Sequence, residues 1–140
     1  MTTVTVAPLR IGPLVVDPPV VLAPMAGVTD AAYRRLCRSY GAGLYVSEMV
    51  SARALVEQDV NSARRISCSE DETVRSVQLY GVDPQTVAAA VRLLVEQEGV
   101  HHVDLNMGCP SPKVTRRGGG AALPVRAGLV GAIVAAAVAA

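Results

Sequence analysis

VRSVQLYGVDPQTVAAAVRLLVEQEGVHHVDLN, residues 74–106, decides the fold. Val74 to Leu79 forms a strand, on which alternation separates Gln78 from Val77 and Leu79. Asp83 followed by Pro84 is a helix cap with proline at the first helical position. Val87, Val91, Leu94 and Val95 then keep helical spacing up to Gly99, and His101 to Asn106 form a further strand. Strand, helix and strand in this spacing suit a right-handed crossover between parallel strands.

The same alternation extends outward. Val20-Val21-Leu22-Ala23, closed by Pro24, is a continuous apolar run of the kind found in strands covered on both faces. Thr29 and Asp30 cap a helix running to about Tyr40, with Tyr33, Leu36, Cys37 and Tyr40 on its apolar face and Arg34, Arg35 and Arg38 off it. Leu44 to Val46 is a second strand, Ser51 caps a short helix, and residues 61–73 are a polar connection holding Cys68. The chain ends in a helix from about Pro124, whose charge-free Ala127 to Ala140 stretch is expected to be buried. Leu9, Ile11, Leu14 and Val15 around Gly12-Pro13 predict a small hairpin suited to plugging the bottom of a barrel. Four alternations of strand and helix mean an α/β fold, either an open doubly wound sheet or a (β/α) barrel. A complete eight-fold barrel takes about 250 residues, so a barrel here would be its first half.

With 140 residues, 51% of them hydrophobic and 18% charged, the chain is expected to fold around one core. A net charge of +1 excludes a global electrostatic case for nucleic acid and leaves only local patches. Lys113 is the sole lysine among thirteen basic residues. Cys37, Cys68 and Cys109 fit neither a disulfide framework nor a zinc pattern, so a reducing, cytoplasmic setting is expected. Residues 1–6 lack the features of an export signal, and the apolar end is too short to span a bilayer, so no membrane association is expected.

Ligands of parallel α/β folds bind at the carboxyl ends of strands. Four such ends carry Pro24-Met25-Ala26-Gly27, Ser47-Glu48-Met49, Gln78-Leu79-Tyr80-Gly81 and Asn106-Met107-Gly108-Cys109. His102, Asp104 and Asn106 share one face of their strand, opposite Val103 and Leu105. Several amides and carboxylates converging on one centre suggest a polar ligand. Cys109 sits on a loop stiffened by Pro110 and Pro112, without a neighbouring histidine to make a nucleophilic pair. Free thiols, with a pKa of about 8.5 in peptides, are mostly protonated near neutral pH, so such a cysteine suits proton donation. Glu48 suits either substrate orientation or pairing with an arginine. His101 and His102, at the start of their strand, are read as structural, with no metal site expected. Cys37 is read as core and Cys68 as incidental.

Leu22-Ala23-Pro24-Met25-Ala26-Gly27-Val28-Thr29-Asp30, Ser47-Glu48-Met49, Val77-Gln78-Leu79-Tyr80-Gly81, and Asp104 to Lys113 with Gly118 to Leu123 together resemble the tRNA-dihydrouridine synthase family. The resemblance implies the first half of an FMN-binding (β/α)8 TIM barrel over residues 1–140, with a short amino-terminal hairpin. The second half of the barrel and a helical tRNA-binding domain have no counterpart. It implies that FMN, reduced by NADPH, transfers hydride to a uridine of tRNA to give 5,6-dihydrouridine. On that resemblance Pro24, Met25, Ala26 and Gln78 bind the flavin, Asn106 lies near flavin and uracil, and Cys109 is the general acid. Lys113 and Arg116 are candidates for tRNA phosphate. Gly118 to Gly120 are read as the turn before the last helix. The alternative is a catalytically inactive truncated product that at most pairs with another half-barrel through exposed strand edges.

Overall fold

A computed structural model describes residues 6–140. Strands β1 (Leu9–Ile11) and β2 (Leu14–Val16) form the expected antiparallel hairpin. They are followed by β3 (Val21–Leu22), α1 (Ala31–Arg38), β4 (Leu44–Tyr45), β5 (Val50–Ser51), α2 (Ala52–Val56) and α3 (Val60–Ile66). Then come β6 (Ser76–Tyr80), α4 (Pro84–Glu96), β7 (His102–Leu105), α5 (Pro112–Thr115), a 3-10 turn at Gly120–Ala122 and α6 (Ala127–Val138). Short polar side chains start the first four helices by accepting a backbone N–H that the helix itself cannot satisfy. Asp30 takes that of Tyr33, Ser51 that of Ala54, Asp59 that of Ser62 and Asp83 that of Thr86.

All strands after the hairpin are parallel. β3 pairs with β4, and β5, β6 and β7 pair in that order. Val46 bridges to Ser76, and the Ser47 N–H donates to the Ser76 carbonyl at 3.0 Å, so the two sets join and the strands follow chain order. Val46 lies opposite Ser76 but Val50 lies opposite Leu79. Four steps on one side match three on the other, which is a one-residue bulge at residues 47–49.

The two faces of β6 and β7 differ in chemistry. Val77, Leu79, Val103 and Leu105 pack with Leu55 of α2, with Val87, Ala90, Val91 and Leu94 of α4, and with Ile133 of α6. Ser76, Gln78, His102 and Asp104 turn to the opposite face and bond to one another. The hairpin sits at the amino ends of the strands: a Cβ on Gly43, just before β4, would collide with the Pro18 carbonyl and the Val16 side chain.

Several expectations are corrected. The face of α1 read as apolar points outward, with Leu36 57% and Tyr40 84% exposed, while Arg34 is wholly buried. Arg34 faces inward because its guanidinium finds Glu72, Thr29 and Ser67 there, and helical period alone does not register such partners. Residues 61–73 are not all connection, since α3 runs to Ile66 behind its Asp59 cap. Only a stripe of α6 is inside: Ile133 is buried, with Leu129, Val130 and Ala137 partly so, while Val138 is exposed. Val95 of α4 is likewise half exposed.

Candidate active site

The carboxyl ends of β6 and β7 hold a row of hydrogen bonds. Gln78 and Asp104 are direct neighbours in the parallel register. The Gln78 Nε2 donates to Asp104 Oδ2 at 2.6 Å, and its Oε1 accepts from Asn106 Nδ2 at 2.9 Å. Asn106 Oδ1 in turn accepts the backbone N–H of Cys109 at 3.0 Å and of Gly108 at 3.3 Å. The Cys109 carbonyl accepts from the Ala121 N–H at 3.0 Å. Gly120, with φ +55°, lies so close that a side chain there would strike that carbonyl. Cys109 is thus held at both its backbone groups, and the residue is half-buried.

The end of β3 is fixed from two sides. Thr29, fully buried, accepts the Met25 N–H with its hydroxyl oxygen at 3.0 Å and donates to the Met25 carbonyl at 3.2 Å. Both backbone groups of Met25 are thereby used inside the loop. Glu48, next to the bulge, accepts the Gly27 N–H at 2.8 Å and lies 3.7 Å from the Arg65 guanidinium. Of its two expected roles, the arginine pairing is the one formed, joined by a contact to the Pro24–Gly27 loop.

Beneath the loop, Arg34 donates to both carboxylate oxygens of Glu72, at 2.8 and 3.0 Å, and to the Thr29 carbonyl at 2.8 Å. Burial alone would lower the Arg34 pKa, but the hydrogen bond and charge of Glu72 outweigh it and raise the value. Cys68 is not incidental: its sulfur lies 3.8 Å from Arg34 Nη2, and burial, then the Glu72 charge, push its thiol pKa up. His101 accepts the Arg75 N–H, and His102 bonds the Ser76 hydroxyl at 2.8 Å.

Lys113 and Arg116 are exposed at α5, just beyond the Cys109 loop. An open cleft of about 640 Å³ between α1 and α3, lined by Asp30, Glu48, Asn61, Arg64, Arg65 and Ser67, contains none of Gln78, Asn106 or Cys109. The hydrogen-bonded row and this cleft therefore do not coincide. Sequence reasoning placed Asp104 on the correct face without giving it a role, the Asp104–Asn106 alternation being the available signal. It read Thr29 with Asp30 as a helix cap, whereas Asp30 alone caps α1 and the Thr29 hydroxyl closes on Met25.

The parallel α/β scaffold carries a thiol and two amides at its strand ends, and comparison with known proteins gives the family. The family model described as dihydrouridine synthase (Dus) matches residues 21–140. A probable tRNA-dihydrouridine synthase of Mycobacterium tuberculosis (strain H37Rv) is 54% identical over 137 residues, covering 93% of this chain and 35% of the relative. The probable tRNA-dihydrouridine synthase of Mycobacterium leprae (strain TN) is 46% identical, covering 84% of this chain and 37% of the relative. tRNA-dihydrouridine synthase B of Shewanella oneidensis is 46% identical, covering 94% and 41%. The chain belongs to the dihydrouridine synthase family, a family of enzymes, and spans somewhat over a third of the length of these relatives. Among the described residues no helix is long and apolar enough to cross a membrane.

Proposed function

We propose that residues 1–140 form the first half of an FMN-binding (β/α)8 barrel that reduces uridine in tRNA to 5,6-dihydrouridine. Two features support the barrel over a doubly wound sheet. The strands keep chain order without the reversal of a doubly wound fold, and helices pack on one face while the other is polar.

The observation that carries the reading is the row from Asp104 through Gln78 and Asn106 to Cys109. Each amide nitrogen has two N–H groups and uses one in the row, so one donor on each is left for a ligand rich in acceptors. The polar edge of an isoalloxazine and the carbonyls of uracil both have that character. Gln78 and the Pro24-Met25-Ala26 loop would hold the flavin; Met25 contributes its partly exposed side chain, since its backbone is already bonded. Bound FMN, kept reduced by NADPH, supplies hydride. Asn106 orients the uracil, and Cys109 holds the proton that goes to C5. Lys113 and Arg116 attract tRNA phosphate, an interaction that weakens with salt.

Titration of FMN into the purified chain, read by flavin fluorescence, tests the site. Saturable binding weakened by Gln78→Ala and Asn106→Ala supports it; no binding, or binding indifferent to both, refutes it. NADPH-dependent reduction of unmodified tRNA by a loaded protein should disappear in Cys109→Ala. A second reading, pairing with another half-barrel without catalysis by these 140 residues alone, is favoured by the exposed Val20 and Val21 along the open edge of β3. A compact monomer in sedimentation would exclude that pairing.

A further inference from the structure

We propose, resting on the reading of Gln78, Asn106 and Cys109 given above, that Asp104 is the positioning residue of this site: it fixes the direction of the amide row and, through it, the Cys109 loop. The two ends of the row differ in kind. A carboxylate accepts hydrogen bonds, and a backbone N–H only donates them. With Asp104 at one end and the N–H groups of Gly108 and Cys109 at the other, each amide between them has a single orientation that satisfies both neighbours. Gln78 must turn its nitrogen to Asp104 and its oxygen to Asn106. Asn106 must then turn its nitrogen to Gln78 and its oxygen to the loop.

The 2.6 Å contact between Gln78 Nε2 and Asp104 Oδ2 is the shortest of the row, and its acceptor is a carboxylate oxygen, a stronger acceptor than an amide carbonyl. Gln78 is almost fully buried. Without Asp104 its amide loses its only acceptor in the row and gains from rotating, which withdraws the oxygen that Asn106 faces. Asp104 is itself two amides removed from the Cys109 loop and acts through Gln78 and Asn106.

The test is amide hydrogen exchange by NMR on the purified chain, with FMN titration alongside. Asp104→Ala is expected to speed exchange at Gly108 and Cys109 by about tenfold or more, while Ala90 and Val91 in α4 keep their protection. Asp104→Asn, which retains an acceptor oxygen, restores protection at both loop amides and recovers the FMN affinity lost in the alanine variant. Should Asp104→Ala not fold, Gln78→Met, which interrupts the row at similar volume, carries the same expectation for Gly108 and Cys109. Unchanged exchange at those amides overturns the proposal, as does a loss that spreads equally to Ala90 and Val91. A wild-type chain that takes up no FMN refutes the functional reading, and the exchange data then still decide the role of Asp104.

Discussion

Arg34→Ala tests the balance of forces most directly. The guanidinium is wholly buried and makes two bonds to Glu72, itself 3% exposed, and one each to the carbonyls of Thr29 and Ser67. Removing it leaves a buried carboxylate whose remaining cation is Arg38, 3.5 Å away. Breaking a buried pair from one side costs about 3–5 kcal/mol, because the surviving charge keeps its desolvation penalty. Against a domain stability of about 5–15 kcal/mol that is a large share. Urea unfolding followed by far-UV circular dichroism is the assay, since the chain has no tryptophan. The double variant Arg34→Ala, Glu72→Ala should be less unstable than the sum of the two single variants, because it removes the stranded charge. A loss below about 1 kcal/mol, the value of an exposed pair, or strict additivity, would refute the reasoning. The same variant frees the Thr29 carbonyl and so should also loosen the Pro24–Gly27 loop.

Leu94→Ala, at a fully buried position in α4, should cost about 2–5 kcal/mol through lost packing and a residual cavity, whereas Val95→Ala next to it should stay within about 0.5 kcal/mol in the same urea assay. Hydrogen bonds from the Thr86 hydroxyl and then its backbone N–H hold the Asp83 carboxyl below the usual aspartate range. Its stabilisation is therefore present above that range and lost as pH falls through the lowered value, so the gap in Tm between wild type and Asp83→Asn should shrink on acidification. Burial and Glu72 raise the Cys68 thiol instead, so its contribution is complete below the ordinary thiol range and lost above it. Tm of the wild type should fall relative to Cys68→Ser as pH rises through and beyond that range.

The crossover unit was legible because its signals are local and agree. The Asp83-Pro84 cap, the spacing of Val87, Val91 and Leu94, and the alternation around Gln78 and Asp104 each point to the element that forms. The hairpin and the Ser51 cap were readable for the same reason. Helix α1 was misread because Arg34 is inward for the sake of Glu72, thirty-eight residues away, and no window of sequence contains both. Helix α3 was missed because, between Val60 and Ile66, its residues are mostly polar and its burial rests on Ser62 and Ile66; Asp59 followed by Ser62 was the available mark. At the candidate site, Gln78, Asn106 and Cys109 could be singled out from the sequence, but the row joining them depends on the register of β6 against β7, which period-two patterning does not give.

The bulge at residues 47–49 carries a consequence for how this segment tolerates change. Val46 and Val50 are four apart and would share a face on a regular strand. Here Val46 stands level with Ser76 and Val50 level with Leu79, so the two valines serve opposite faces. Losing one residue between them would leave three steps against three, so the ladder would run as a regular strand with Val50 still level with Leu79; what would be lost is the extra length that brings Glu48 to the Gly27 N–H. The extra residue therefore serves the Pro24–Gly27 loop and not the core: a one-residue deletion at 47–49 should disturb that loop more than it disturbs the packing of Val50 and Leu79.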